Sequence, residues 1–195
     1  MKKRYFAEEL FEKARRHLAT NYSLYPIVIV RGENCWVWDS EGREYLDMLA
    51  CYSALNLGHR HPRIIEAAHD QLDKITLTPG FLLTEEKALA SEKLAEFCGM
   101  DRTLFMNTGA EAVETALKLA RKWGYTKRNP RIPRNEAKII VCANNFHGRT
   151  VTIVSFSSEE QYRDAFGPLT PGFTPIPFGD ASALQSAITP NTVAF

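Results

Sequence analysis

The sequence lacks the features that mark a disulfide framework, a zinc site or a membrane anchor. Its four cysteines, Cys35, Cys51, Cys98 and Cys142, are far apart and form no Cys-x-x-Cys spacing. Neither a disulfide framework nor a zinc site is therefore expected, and we interpret the cysteines as small buried residues in a reducing compartment. No run of 18 apolar residues occurs, so no membrane-spanning helix is predicted.

An excess of charge of one sign is also missing. The chain has 24 Lys and Arg against 23 Asp and Glu, without a long block of either sign. Nucleic acid and anionic membranes are therefore not predicted as partners, and the ligand is expected to be small. Residues 1–4 look like the basic start of a signal peptide, but charges continue through residues 5–18, so a cytoplasmic location is predicted.

Hydrophobic periodicity divides the chain into two kinds of structure. Residues 6–18 have helical spacing, and two short β-rich runs, 26–30 and 35–39, joined by residues 31–34, lead through a turn into a third strand, which predicts a small meander. From about residue 60, helices alternate with short buried strands, as in an α/β layer with a largely parallel sheet. The predicted helices there are 64–75, 85–97, 111–123 and 180–188; the predicted strands are 102–106, 137–143, 174–178 and 191–195. Residues 151–157 fit a helix or a strand.

The last predicted strand begins where the chain stops. A buried parallel strand needs neighbours and a covering helix on each face. We therefore expect the chain to be the first part of a larger domain.

The junction between strand 102–106 and the next helix is a candidate anion site. Thr108, Gly109 and Ala110 form it, and there Gly109 permits a tight turn and Ala110 leaves room for a ligand. The helix start offers free N–H groups and a positive dipole end. The alternative is a plain helix cap made by Asn107 or Thr108. Further along this helix, Glu114 is expected to pair with Lys118.

A second candidate group, residues 144–150, follows the buried strand 137–143. Ligands in open α/β sheets collect at the carboxyl ends of strands. Phe146 offers a flat face for stacking, and Arg149 offers a fork for a carboxylate. The alternative is a surface turn with a core phenylalanine, and His147 alone indicates little.

A third group, residues 51–62, is an aromatic loop that leads into a helix. Tyr52 fits either a pocket or the core. His59 and His61 could bind a metal, but no third ligand is evident nearby, so no metal site is predicted.

Together the three groups resemble the pyridoxal-phosphate-dependent class III aminotransferases, in order and spacing, from about residue 22 to the end. The resemblance implies a fold type I transferase, like aspartate aminotransferase, in which a large α/β domain binds the cofactor and both chain ends build a smaller domain. Residues 1–57 would be the N-terminal helix and meander of the small domain, and residues 58–195 the first half of the large domain.

The resemblance also implies roles for individual residues. Backbone N–H groups at the helix start would bind the cofactor phosphate, Phe146 would stack on the pyridine ring, and Arg149 would hold a substrate carboxylate. The implied cofactor-binding residues are Thr108, Gly109, Ala110, Phe146 and His147; the implied substrate-binding residues are Tyr22, Tyr52 and Arg149.

Within the family, the branch that acts on ornithine fits best. That branch carries Tyr-Ser-Ala, here at 52–54, and Asn-Thr-Gly, here at 107–109, whereas the acetylornithine branch usually has an apolar residue in place of Tyr52. The implied reaction moves the δ-amino group of ornithine to 2-oxoglutarate. The alternatives are a class III enzyme for acetylornithine, 4-aminobutyrate or lysine, and a non-catalytic binding or regulatory protein.

The family's Schiff-base lysine has no counterpart in this sequence. In the family it lies in the C-terminal half, and no lysine of this chain occupies a matching motif. No catalytic residue is therefore assigned here, and the isolated chain is expected to be inactive and poorly soluble unless a C-terminal chain complements it. The family works as dimers with active sites at the interface.

Overall fold

A computed structural model describes residues 6–195, so the basic residues 1–4 lie outside the described part. The chain divides into two compact units, Met1–Glu85 and Glu86–Phe195. The sequence predicts a different division, with residues 1–57 in a small domain and residues 58–195 in a large domain, and that division stays a prediction.

The first unit contains the predicted meander. Three strands pair antiparallel in the order β1-β2-β3. Its elements are α1 (Ala7–His17), β1 (Ile29–Glu33), β2 (Trp36–Asp39), β3 (Glu44–Leu46), α2 (Ala50–Ser53) and α3 (Pro62–Lys74). The predicted connection 31–34 is too long, because β1 continues until Glu33 pairs with Trp36. Asn34, with φ of 52°, lies in the short turn that remains.

Asp39 organises the turn between β2 and β3. It is buried, and its carboxylate accepts hydrogen bonds from the Glu41 and Arg43 N–H groups (2.9 Å each), from Arg43 Nε (2.7 Å) and from the Tyr45 hydroxyl (2.8 Å). Burial raises the pKa of this carboxyl, but the hydrogen bonds from Arg43, Tyr45 and the backbone outweigh burial and hold the pKa well below its usual range. The same carboxylate raises the pKa of Arg43 and of Tyr45.

The second unit is the predicted α/β layer. Its three-stranded sheet is parallel, in the order β5-β4-β6. Its elements are α4 (Glu85–Cys98), α5 (Gly109–Thr126), β4 (Lys138–Cys142), α6 (Val151–Val154), α7 (Glu160–Arg163), β5 (Phe173–Ile176), α8 (Ala181–Ala187) and β6 (Thr192–Ala194). The core is aliphatic and aromatic, with Ile140 and Ile153 almost fully buried.

The structure corrects the strand predicted at 102–106. Within residues 6–195 this segment pairs with no neighbouring strand. An apolar run becomes a strand only where a neighbour completes its hydrogen bonds. The ambiguous segment 151–157 contains the single helical turn α6.

Helix α5 is fixed to the sheet near its C-terminal end. Gly124 is buried against β6, and a Cβ added there would lie 2.4 Å from Val193 Cγ1. The Tyr125 hydroxyl accepts a hydrogen bond from the Ala137 N–H (3.1 Å), and Arg121 Nη2 donates to the Pro171 carbonyl (2.8 Å). These contacts determine where the opposite end of α5 lies.

The cysteines are more exposed than the sequence predicts. Cys35, Cys51 and Cys98 are exposed and only Cys142 is partly covered, so the interpretation of the cysteines as buried residues is wrong. Across residues 6–195, no helix is both long and apolar enough to cross a bilayer.

Candidate functional site

The start of α5 is capped by the residue that precedes it. Thr108 has an extended backbone, and its hydroxyl accepts a hydrogen bond from the Glu111 N–H (3.1 Å). The Glu111 carboxylate accepts in return from the N–H groups of Thr108 (3.1 Å) and Asn107 (2.8 Å). This reciprocal arrangement is a capping box, so the capping interpretation holds for Thr108.

Capping leaves two donors open at this helix start. The N–H groups of Gly109 and Ala110 precede the first intrahelical bond and donate to no acceptor within residues 6–195. Gly109 has no positive φ, so its conformational freedom is not what the turn requires. A Cβ added at Gly109 would meet nothing within 4 Å. The open N–H groups and the open space together suit a phosphate or carboxylate group.

The loop 144–150 packs directly on this helix start. Gly148, with φ of 127°, lies so close to α5 that an added Cβ would be 2.8 Å from Ala110 Cβ. The Thr150 hydroxyl donates a hydrogen bond to the Glu114 carboxylate. Glu114 therefore joins the loop to the helix, and the Glu114–Lys118 ion pair expected from the sequence is not formed in the described part of the chain.

The same loop is tied down where it leaves β4. Asn145 Nδ2 donates to the carbonyls of Cys142 (2.7 Å) and Phe156 (3.2 Å). The Asn144 N–H donates to Ser158 Oγ (2.7 Å). The loop is therefore held at its first residues by the end of β4 and by residues 156–158, and near its end by α5.

Phe146 and His147 extend from this loop beside an apolar cavity. Phe146 is 66% exposed and meets Tyr162 edge-on, with 6.4 Å between ring centroids. The His147 ring lies 5.9 Å from Phe156. Both side chains line a cavity of about 540 Å³ whose other walls are α5, β4 and the last residues of the chain. The Phe146 ring therefore has a free face that could stack on a flat ligand, so the alternative of a core phenylalanine is wrong.

Arg149 has a partner that the sequence patterns did not indicate. Its guanidinium lies 4.5 Å from the centroid of the Tyr162 ring, and its Nη2 donates to the Tyr162 hydroxyl (3.2 Å). Stacking of this kind restricts the guanidinium and so fixes the direction in which it can bind an anion. Tyr162 lies 13 residues further along, beyond the reach of any local motif.

The two predicted substrate tyrosines belong to the first unit. Tyr22 follows α1 and is 60% exposed; Tyr52 is 82% exposed and so lies outside the core of this unit. Tyr52 lies in α2, whose four residues all have positive φ. Left-handed backbone costs an L-residue about 1–2 kcal/mol, so this turn is strained. That both tyrosines face the substrate stays a prediction.

His59, considered as a metal ligand, is engaged elsewhere. Its Nε2 lies 2.8 Å from Asp47 Oδ2. In the part of the chain that the structure describes, no three His, Cys, Asp or Glu residues are grouped to hold a metal ion.

Comparison with known proteins identifies the family. The model of the class III aminotransferase family matches residues 17–192. An ornithine aminotransferase of Brevibacillus brevis is 56% identical over 186 residues, which are 95% of this chain and 46% of that protein.

Solved structures agree with the sequence match. An ornithine aminotransferase from Toxoplasma gondii, described with partial occupancy of PLP at its active site, superposes with a TM-score of 0.94 at 44% identity, over 99% of this chain and 45% of that one. An acetylornithine aminotransferase from Elizabethkingia anophelis gives 0.80 at 46% identity, over 97% and 46%. The chain spans about half the length of these relatives. On the family match over most of its length, this chain belongs to the class III aminotransferases.

Proposed function

We propose that this chain supplies the cofactor phosphate site and part of the substrate site of an ornithine aminotransferase. The observation that carries the proposal is the packing of one loop against one helix start. That contact places Phe146 and Arg149 on the segment whose Gly148 touches Ala110, beside two open N–H groups. One local structure thus holds the helix N–H groups that suit an anion, an aromatic ring that can stack, and a guanidinium that can bind a carboxylate.

The residues present fit pyridoxal phosphate. The N–H groups of Gly109 and Ala110 would hold the phosphate. Within residues 6–195 the Thr108 hydroxyl only accepts a hydrogen bond, so its own proton can be donated to the phosphate. Phe146 would stack on the ring, and His147 lines the same cavity. Pyridoxal phosphate supplies an electron sink when bound. The residues of this chain would bind the cofactor and orient its ring.

Arg149 is proposed to bind a carboxylate of the substrate. Its guanidinium is always charged and has a fork geometry that matches a carboxylate. Tyr22 and Tyr52 are proposed to contact the amino-bearing end of the substrate. The choice of ornithine, with 2-oxoglutarate as the acceptor, is supported by the 56% identity to the Brevibacillus brevis protein.

The Schiff-base lysine is proposed to come from a further segment or chain, since no lysine of this chain occupies its motif. We accordingly propose a complete enzyme that is a cytoplasmic homodimer. In it, a C-terminal part accompanies the residues described here.

Reconstitution tests the proposed function. This chain is co-expressed with the C-terminal part of the Brevibacillus brevis relative and assayed with ornithine, 2-oxoglutarate and pyridoxal phosphate. The pair is expected to bind the cofactor, seen as its visible absorbance, and to form glutamate, while either part alone is inactive. Turnover by this chain alone, or a pair that binds no cofactor, would contradict the proposal; the second result would favour a non-catalytic regulatory protein.

A second candidate is an enzyme for another amino donor, favoured by the similarity to an acetylornithine aminotransferase. The reconstituted pair is therefore also assayed with acetylornithine, 4-aminobutyrate and lysine, and compared with its Tyr52→Ile variant. If Tyr52 selects ornithine, the variant loses that preference. An unchanged preference would remove Tyr52 from the specificity site.

A further inference from the structure

The turn that presents Tyr52 has a backbone conformation that its residues do not favour by themselves. Its φ angles, in chain order from Ala50 to Ser53, are 46°, 49°, 56° and 68°. None of the four is glycine, so each Cβ crowds a carbonyl oxygen in this conformation. Such a turn persists only where the surrounding structure holds it.

One carboxylate holds the entrance to this turn. Asp47 Oδ1 accepts hydrogen bonds from the N–H groups of Leu49 (3.1 Å) and Ala50 (2.9 Å). Its other oxygen, Oδ2, is bonded to His59 Nε2 at 2.8 Å. The Ala50 N–H and His59 together lower the pKa of Asp47. The carboxylate thus connects the first residue of the turn to a residue that follows it.

His59 is in turn fixed to the meander. Its main chain forms a pair of hydrogen bonds with Asn34, from Asn34 N–H to His59 oxygen (2.9 Å) and from His59 N–H to Asn34 oxygen (2.7 Å). Its ring lies against Gly32, where an added Cβ would be 2.7 Å from His59 Cγ. The ring therefore has little freedom to move away from Asp47.

We propose that Asp47 and His59 form a clamp that holds the left-handed turn and so positions Tyr52 for the amino donor. This inference rests on the proposed function, because it takes Tyr52 as a substrate-binding residue. Neither clamp residue needs to touch the substrate. Their role is to keep the Tyr52 backbone in a conformation that it would otherwise leave.

Four variants of the reconstituted enzyme test the clamp. His59→Leu removes the ring nitrogen at similar volume, and His59→Gln returns a side-chain N–H as the conservative rescue. Gly32→Ala leaves both clamp residues intact but displaces the His59 ring through the added Cβ. Gly80→Ala is the matched control, since a Cβ there meets nothing within 4 Å.

The first readout is hydrogen exchange, measured by mass spectrometry on the peptide that covers residues 49–55. Amides of Ser53 and Leu55 in this peptide are bonded to the carbonyls of Leu49 and Ala50. Exchange is expected to rise in His59→Leu and Gly32→Ala, and to stay at the wild-type rate in His59→Gln and Gly80→Ala. Exchange at the wild-type rate in both His59→Leu and Gly32→Ala would overturn the proposal.

The second readout is kinetic. Loss of Tyr52 positioning is expected to raise KM for the amino donor about tenfold with little change in kcat, because the contact is made equally in the ground state and the transition state. Faster exchange without a change in KM would overturn the link to Tyr52. If the wild-type pair has no activity, the proposed function fails, while the exchange comparison still decides the clamp. If His59→Leu unfolds the first unit, the comparison of Gly32→Ala with Gly80→Ala provides both the exchange and the KM measurement.

Discussion

At the scale of single residues, glycines explain how two distant sequence motifs come together. Gly109 leaves space where a ligand could approach, and Gly148 allows its loop to touch the start of α5. Gly148 also has φ of 127°, which L-residues with a side chain rarely adopt. The site therefore depends on glycine for two reasons, open space at one position and close approach at the other.

Gly148→Ala is expected to destabilise the second unit by about 1–3 kcal/mol, the usual cost of overpacking. The new Cβ would overlap Ala110 Cβ, so the variant should also weaken binding of pyridoxal phosphate. Urea unfolding of the chain and cofactor titration of the reconstituted enzyme measure the two effects.

A double-mutant cycle separates the clash from the backbone strain at Gly148. Adding Ala110→Gly removes the clashing methyl group and leaves the strain unchanged. The two changes together should therefore cost less than their sum, by about 1 kcal/mol. Strictly additive effects would mean that the contact between Gly148 and Ala110 contributes nothing.

At the scale of elements, the β2–β3 turn shows how one buried carboxylate makes stability depend on pH. Asp39 accepts four hydrogen bonds, and its pKa in the folded protein lies well below the ordinary value of 3.8. A lowered pKa means that the folded state favours the ionised carboxylate. Its contribution to stability is therefore complete above the ordinary pKa, and it is lost as the pH falls from about 4 toward the folded-state pKa.

Asp39→Asn should lower the stability of the first unit at pH 7, and the difference from wild type should shrink as the pH falls below about 4. Trp36 and Trp38 lie in β2 and report unfolding of this unit by fluorescence, with Trp123 replaced by Phe to remove the signal from α5. Glu41→Gln is the control, since that side chain is exposed and pairs with the same arginine, Arg43, without taking part in the buried hydrogen bonds. A difference that stayed constant from pH 7 to pH 3 would contradict the assignment.

At the scale of the whole molecule, much apolar surface is left uncovered in this chain. Leu77 and Phe81 in the first unit and Phe97 in the second are each close to 90% exposed, and further large apolar side chains are exposed in each unit. Single exposed apolar residues are ordinary, but extended apolar surface marks a site of association. We expect this surface to be covered in the complete enzyme.

The isolated chain should therefore bind an apolar fluorescent dye and associate with itself in solution. Co-expression with the C-terminal part of a relative should reduce both effects, because the partner would cover the same surface. Dye fluorescence and light scattering at matched concentrations provide the measurement. Equal dye binding with and without the partner would show that this surface lies outside the interface between the two parts.

The sequence by itself determined most of the elements and the chemistry that each motif could offer. Periodicity placed α5 and the buried strand β4, because burial of one face or of a whole strand is recorded in neighbouring residues. The helix start at Thr108 and the roles available to Phe146 and Arg149 could also be predicted. A capping side chain, an aromatic ring and a guanidinium are properties of single residues. The strand predicted at 102–106 failed because strand pairing depends on a neighbour that local sequence does not specify.

Only the tertiary structure decided which distant residues meet. The contact of Gly148 with Ala110, the stacking of Arg149 on Tyr162 and the bond between Asp47 and His59 each join residues more than ten positions apart. The left-handed turn at Tyr52 was also unreadable, because no residue in it favours that backbone and its support comes from outside it. Helix and strand preferences depend on neighbouring residues in the sequence. The strained turn and the close contact of loop and helix depend on packing between distant segments, and that packing defines the candidate site.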